Sequence, residues 1–283
     1  MERARRRQAS RLTWLKEGDA NTRFFHLKIN ARRRKNHIHT LQHNNQILIS
    51  HEEKAAALRQ HFSSALGSTT PRPRTINWDA IELPTMDFAG LDLPFTAAEI
   101  WAAIKDSLAE KAPGPDGFSG VFYRTCWPII RGDIMDAFSH VYHLAAGDFA
   151  SLNRASICLL PKKCPAASVG DFRPISLIHS FAKLLAKVLA RRLSPFMGDL
   201  VSPAQTAFLR SRSIHENFLY VRNLARSLHR RNKPSLLIKL DFARAFDSIS
   251  WEYLLELLQR LSLPPRCATG LRCFSQRPHL QSF

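Results

Sequence analysis

Acidic side chains are scarce: 23 Asp and Glu stand against 41 Lys and Arg in 283 residues, a formal net charge of +18. Cysteine is scarce as well. The five residues, Cys126, Cys158, Cys164, Cys267 and Cys273, include no C-x-x-C pair, which argues against a zinc site or a disulfide framework. No run of about 18 apolar residues occurs, so no membrane-spanning helix is expected. Behind Met1 comes "ERARRRQAS" with no apolar stretch, which does not read as a signal peptide. Together these absences predict an intracellular protein, nuclear or cytoplasmic and not secreted. The run "RARRR" is a weak pointer to nuclear import. Two adjacent aspartates occur nowhere in the chain.

What is present suffices for a packed core. Hydrophobic residues make up 45%, ordinary for a globular protein, and the length allows one large or two modest domains. The excess of positive charge is clustered, which favours a polyanion partner such as nucleic acid over a uniformly solvated surface. Residues 1–40 hold 12 Lys/Arg against 3 Asp/Glu. Among them Trp14, Phe24 and Phe25 either stack on bases or pack inward between two helices.

Periodicity divides the rest. Residues 1–66 read as a basic helical extension and 67–95, turn-rich and aperiodic, as a linker. In "TAAEIWAAIKDSLAEKAPGPDG", Thr96 and Glu99 form a capping box. Ile100, Trp101, Ile104 and Leu108 share one face, Pro113 ends the helix, and "PGPDG" is a rigid turn. A helix is expected at about 131–146, a strand at 155–160 and a loop through "CPAASVGDFRPISL". A further helix at about 178–193 puts Phe181, Leu184, Leu185, Val188 and Leu189 on one face and Lys183, Lys187 and Arg191 on another. The helix at 214–230 repeats the plan, with Phe218, Val221, Leu224 and Leu228 inward and Arg222, Arg226 and Arg230 in a stripe. Each stripe suits a phosphate backbone or a solvated face. A strand at 236–242 and a helix capped by Ser250 come next, so the class is mixed, helix-rich α/β.

Five segments, "APGPDGF", "ICLLPKK", "DFRPISL", "SPAQTAFLRSRSIHENF" and "KLDFARAFDSISW", occur in this order. In order and spacing the chain resembles the reverse transcriptases of LINE-type (non-LTR) retrotransposons, most closely plant ones. The opening "RLTWLKEGDANTRFFHLKINARRRKNHI" is similar to the segment that precedes the polymerase there. The resemblance implies polymerase fingers at 96–235 and an incomplete palm at 236–283, truncated before the family's "YADD" motif and without a thumb. It implies RNA and DNA as template and primer, deoxynucleoside triphosphates as substrates and two Mg²⁺ ions in the complete enzyme. Asp241 matches the first metal-binding, catalytic aspartate. Lys162 and Arg173 match the grip on the triphosphate, and Phe246 the aromatic beneath the incoming sugar. Gln205, Phe208 and Arg212 match the template-lining segment, where Arg210 and Ser211 replace the family's usual proline and glycine. Asp247 matches the family without being a metal ligand, and Glu252 and Glu256 are poor substitutes for one.

The chemistry agrees. Two divalent ions about 4 Å apart assist phosphoryl transfer; they need several oxygen ligands, and one aspartate does not supply them. The expectation is therefore a polymerase fragment inactive alone, the alternative being a non-catalytic nucleic-acid-binding protein or a decayed transposon relic. In either binding case affinity falls steeply with salt, because the contacts are to phosphate. Titrating a labelled oligonucleotide at rising salt tests this, and affinity that stays flat from low to moderate salt excludes it.

Overall fold

The computed structural model describes residues 23–65, 76–109, 111–143, 152, 154–163, 165–210, 212–241 and 249–275. Within them the elements are α1 (Arg23–Asn36), β1 (Leu41–His43), β2 (Gln46–Leu48), α2 (His51–Ala65), α3 (Ala97–Lys105), α4 (Gly120–His143), β3 (Ala155–Pro161), β4 (Phe172–Ile178), α5 (Ser180–Leu193), α6 (Met197–Leu200), α7 (Ile214–Arg230), α8 (Trp251–Arg260) and α9 (Pro265–Ser275). The class is mixed α/β and helix-rich. No described helix is long and apolar enough to cross a membrane.

Two clusters of buried side chains organise these elements. The larger lies where α3, α4 and α5 meet α8 and α9. Ile100 and Ile104 of α3, Phe138 of α4 and Leu185 and Val188 of α5 are all but sealed from solvent there. Their spacing by three or four residues puts one stripe of each helix inward, and burying each contributes about 1.5–3 kcal/mol. Phe181 joins edge-on to Phe138, with ring centroids 5.3 Å apart.

The smaller cluster gathers Leu41, Ala57, Leu58, Phe62, Val169 and Phe172. It seats the β1–β2 hairpin and α2 on the antiparallel β3–β4 hairpin, with a backbone bond from the Gln42 N–H to the Ala167 carbonyl at 2.8 Å.

One guanidinium locks α5 to α3. Arg192 donates to both carboxylate oxygens of Glu99, at 2.6 and 3.1 Å, and to the carbonyls of Leu91, Leu93 and Pro94. It also lies over the Phe95 ring. Glu99 simultaneously accepts the Thr96 N–H at 2.9 Å, closing the capping box expected there.

The structure departs from the sequence reading in five places. The segment 1–66 is not purely helical, since β1 and β2 lie within it. The described part of the 67–95 stretch, residues 76–95, packs down, burying Trp78, Phe88 and Leu91. Helix α4 begins at Gly120 rather than near 131 and runs through Pro128; Trp127, stacked on Trp101 at 5.4 Å, helps hold the turn that proline weakens. Half of the expected loop after Pro161 is β4, whose Pro174 suits a strand with a free edge.

The fifth departure concerns α7 and the segment 236–241. The helix forms as expected, capped by Ser213, yet Phe218, Val221 and Leu224 are exposed rather than inward. Residues 236–241 form no strand, and Leu236, Leu237, Ile238 and Leu240 are exposed. A strand needs a hydrogen-bonded neighbour, and no described residue supplies one. Amphipathic pattern sets local conformation; burial requires a second surface.

Replacing Arg192 by Ala removes the charge partner of Glu99 and the donors to three carbonyls. The expected loss is about 3 kcal/mol in urea unfolding, and Arg192→Lys recovers less than half of it because the fork geometry is lost. An unchanged midpoint for Arg192→Ala would refute the keystone role.

Candidate nucleic-acid and nucleotide interface

The β3–β4 hairpin positions two of the expected residues. Its register pairs Leu160 with Arg173 and Pro161 with Phe172. One face, with Leu159 and Phe172, packs on the smaller core. The other, with Cys158, Arg173 and Ile175, is exposed. The ladder continues one step, the Lys162 N–H donating to the Asp171 carbonyl at 2.7 Å. Lys162 and Arg173 therefore share the open face as diagonal neighbours, with roughly 7–8 Å between backbone positions. The Lys162 ammonium donates to the Gly170 carbonyl at 2.7 Å and leaves two donors over.

Asp171 shapes the hairpin tip. Its carboxylate pairs with Lys163 at 2.9 Å and accepts the Ala167 and Ser168 N–H groups at 3.2 and 3.0 Å. These bonds, that to Lys163 foremost and that to Ser168 next, hold its pKa down at about 2 against an ordinary 3.8. The sequence reading missed this residue; the signal was an Asp three positions after Ser168, the spacing of a reciprocal cap.

The "PGPDG" turn fixes where α5 starts. The Asp116 carboxylate accepts the Ser180 N–H at 2.5 Å and lies 3.7 Å from the His179 ring. A Cβ on Gly114 would fall 2.0 Å from the Ile178 carbonyl oxygen, so only glycine fits beneath the β4–α5 junction. Gly117 holds φ +72°. The rigidity expected of this turn thus has a purpose: it clamps the end of the strand that carries Arg173.

The template-like segment folds around one guanidinium. Arg212 donates to the carbonyls of Ser202, Gln205, Gly198 and Val201 at 2.7–3.1 Å. Its guanidinium is occupied in folding the 198–212 loop. Gln205, exposed, accepts the Ala207 N–H at 3.2 Å. Phe208 is 91% exposed at a φ of 64°, a costly conformation for a bulky residue. The loop therefore holds an aromatic ring out into solvent, and Arg212 positions it. Ser211 lies outside the described residues, as do Phe246 and Asp247.

Asp241 ends the exposed segment 233–241. The reverse transcriptase family uses divalent metal ions, but among the described residues no three His, Cys, Asp or Glu side chains converge. Glu256 serves elsewhere, accepting the Trp78 indole N–H at 2.5 Å. The described residues do not by themselves form a cation site, and no chemical step is assigned to one.

Comparison with known proteins finds likeness over part of the chain. Residues 160–281, which include the tip of the hairpin and the 198–212 loop, match the model described as reverse transcriptase (RNA-dependent DNA polymerase). A Xenopus laevis protein, "Transposon TX1 uncharacterized 149 kDa protein", is 28% identical over 62% of this chain and 13% of its own length. The Pol polyprotein of an R2 retrotransposable element from Popillia japonica is 27% identical over 60% of this chain and 23% of its own. That of R2DM from Drosophila melanogaster is 26% identical over 69% and 18%. The matched region thus spans less than a quarter of each of these relatives. The chain carries a reverse transcriptase domain segment, a polymerase-type sequence. The relatives it resembles within that class are proteins of a transposon and of R2 retrotransposable elements.

The tip has a pH signature. Because folding lowers the Asp171 pKa, its contribution is present above pH 3.8 and is lost as pH falls towards about 2. Amide exchange at Ala167 and Ser168, corrected for the intrinsic pH dependence, is expected to lose protection in that window and only there. Asp171→Asn removes the dependence, and a flat profile in the parent chain overturns the assignment.

Proposed function

We propose that this chain forms the nucleotide- and template-gripping side of an RNA-directed DNA polymerase, the fingers with part of a palm. The observation that carries the reading is the β3–β4 hairpin, which presents Lys162 and Arg173 on one open face within a segment matched to the reverse transcriptase family. A triphosphate is well held by a mobile ammonium beside a planar guanidinium, the second able to bond two oxygens at once. Asp171 and Lys163 set the shape of the tip, so their role is positioning.

In the template segment, Gln205 and Phe208 face the nucleic acid, Phe208 by stacking on a base. Arg212 holds their loop rather than touching phosphate. Phe246 is assigned to the incoming sugar and Asp241 to a divalent cation, Mg²⁺ by resemblance. The substrates on this reading are deoxynucleoside triphosphates with an RNA template and a DNA primer.

Two measurements test the reading. Lys162→Ala with Arg173→Ala is expected to weaken deoxynucleoside triphosphate binding at least tenfold, about 1.4 kcal/mol or more, while the melting temperature holds. Unchanged affinity removes the hairpin from the site. Primer extension with Mg²⁺ by these 283 residues alone, which contain no Asp-Asp pair, is expected to give no product. Extension that survives Asp241→Asn would show that the cation ligands have been misassigned.

A further inference from the structure

The two lysines of the basic stripe on α5 are not fully open to solvent, unlike Arg191. Lys183 and Lys187 are half-buried and line a cavity of about 420 Å³ between α5, the residues at and after the end of α3, and the start of α4. That volume falls within the roughly 300–1,000 Å³ usual for small-ligand sites. The cavity shares no residue with the hairpin tip, the 198–212 loop or Asp241.

Its charge is unbalanced. Lys111 joins Lys183 and Lys187 on the wall. The Lys183 ammonium reaches the Ala112 carbonyl and that of Lys187 the Ser107 hydroxyl, each at 3.4 Å, long for a hydrogen bond. Each ammonium has three donors, so most of this capacity is unused by these contacts. Of the two nearby described carboxylates, Asp106 also lines the cavity but is paired with Arg191, and Asp116 accepts the Ser180 N–H. Burial lowers the pKa of both lysines; Asp116 opposes this at Lys183 and Asp106 at Lys187, while the charge of Lys111 adds to it at both. A bound anion would relieve both effects.

The opposite wall is apolar. Leu108, Phe118 and Tyr123 line it, and Phe118 stacks on Phe122 with centroids 4.3 Å apart and planes 20° apart. Phe118 is 42% exposed, a ring held at the mouth with a second ring behind it. Ammonium groups facing an aromatic plate suit a ligand that joins an anion to a flat, stackable group.

We propose that this cavity binds one nucleotide unit, its phosphate between Lys183 and Lys187 and its base against Phe118. The unit comes either from a free nucleotide or from a single strand passing the mouth. The proposal goes beyond the polymerase reading, because it concerns neither the hairpin tip nor the template loop and needs neither triphosphate nor metal.

The test uses the 283-residue chain with three probes: AMP, inorganic phosphate and a short labelled single-stranded oligonucleotide. AMP binding shows a free-nucleotide site, and oligonucleotide binding without AMP binding shows a strand site; both support the proposal when they depend on the cavity. The double variant Lys183→Gln, Lys187→Gln is expected to weaken the bound probe roughly tenfold, from two lost phosphate contacts. Phe118→Leu is expected to weaken AMP or the oligonucleotide severalfold and to leave inorganic phosphate unchanged.

Retention of affinity within about twofold by the lysine double variant overturns the proposal, as does binding of neither AMP nor the oligonucleotide by the parent chain. Loss of AMP binding on Lys162→Ala alone moves the site to the hairpin tip and also overturns it, without touching the triphosphate reading. Should the double variant fail to fold, hydrogen exchange on the parent chain decides. Added AMP or oligonucleotide must protect amides within residues 105–120 and 180–187, and no protection there overturns the site.

Discussion

The Arg192–Glu99 pair is the constraint on which the positions of the other parts depend. Glu99 already serves as the third residue of a capping box, so its carboxylate is fixed to the start of α3 before Arg192 reaches it. Arg192 then uses its remaining donors on the turn at 91–94 that leads into the same helix. A single charged group thus sets the angle of α5 against α3 and the path of the chain between them. Charge pairs removed from water are costly unless every donor and acceptor is met; here the fork, the carboxylate and three carbonyls come close to doing so.

From that anchor α5 carries consequences at both ends. At its N-terminus, Asp116 caps Ser180 and Gly114 lets the turn press against the Ile178 carbonyl. The β3–β4 hairpin is therefore cantilevered from a clamped junction, and its tip is stiffened separately by Asp171. Along its length α5 presents Leu184, Leu185, Val188 and Leu189 to the core and Lys183 and Lys187 to the cavity. The cations on the open face of the hairpin and those at the cavity are thus carried by one continuous run of chain.

Much of this was legible where local rules decide the outcome. The Thr96–Glu99 box, the helix at 214–230 and the apolar face of α5 follow from capping chemistry and a 3.6-residue period, which depend on near neighbours. The failures share another cause. The early start of α4 and the strand β4 went unread, and the packing that tolerates Pro128 and Pro174 there, Trp127 on Trp101 and the free edge of β4, comes from distant residues. Trp78, Phe88 and Leu91 lie in an aperiodic stretch, and no period announces that single side chains will be buried. At 236–241 the composition of a strand is present, but strand formation is a property of pairs and composition belongs to one segment.

Positive charge shows the same division between what a residue is and what it is free to do. A net charge of +18 invites the reading that basic residues form a phosphate-binding surface. Yet Arg192 is spent on Glu99 and three carbonyls, Arg212 on four carbonyls, and Arg124 on the carbonyls of Ile104, Lys105 and Ser107 at the end of α3. A guanidinium surrounded by backbone oxygens is a cap with a charge and contributes little direct contact to a polyanion. Arg222, Arg226 and Arg230 on α7 remain exposed to solvent. Salt dependence counts only cations that displace counterions at phosphate, so its slope reflects this second group and the lysines rather than the total. For Arg212 the sequence position matched a template contact, and the geometry turned the same side chain into the support that holds Phe208 outward.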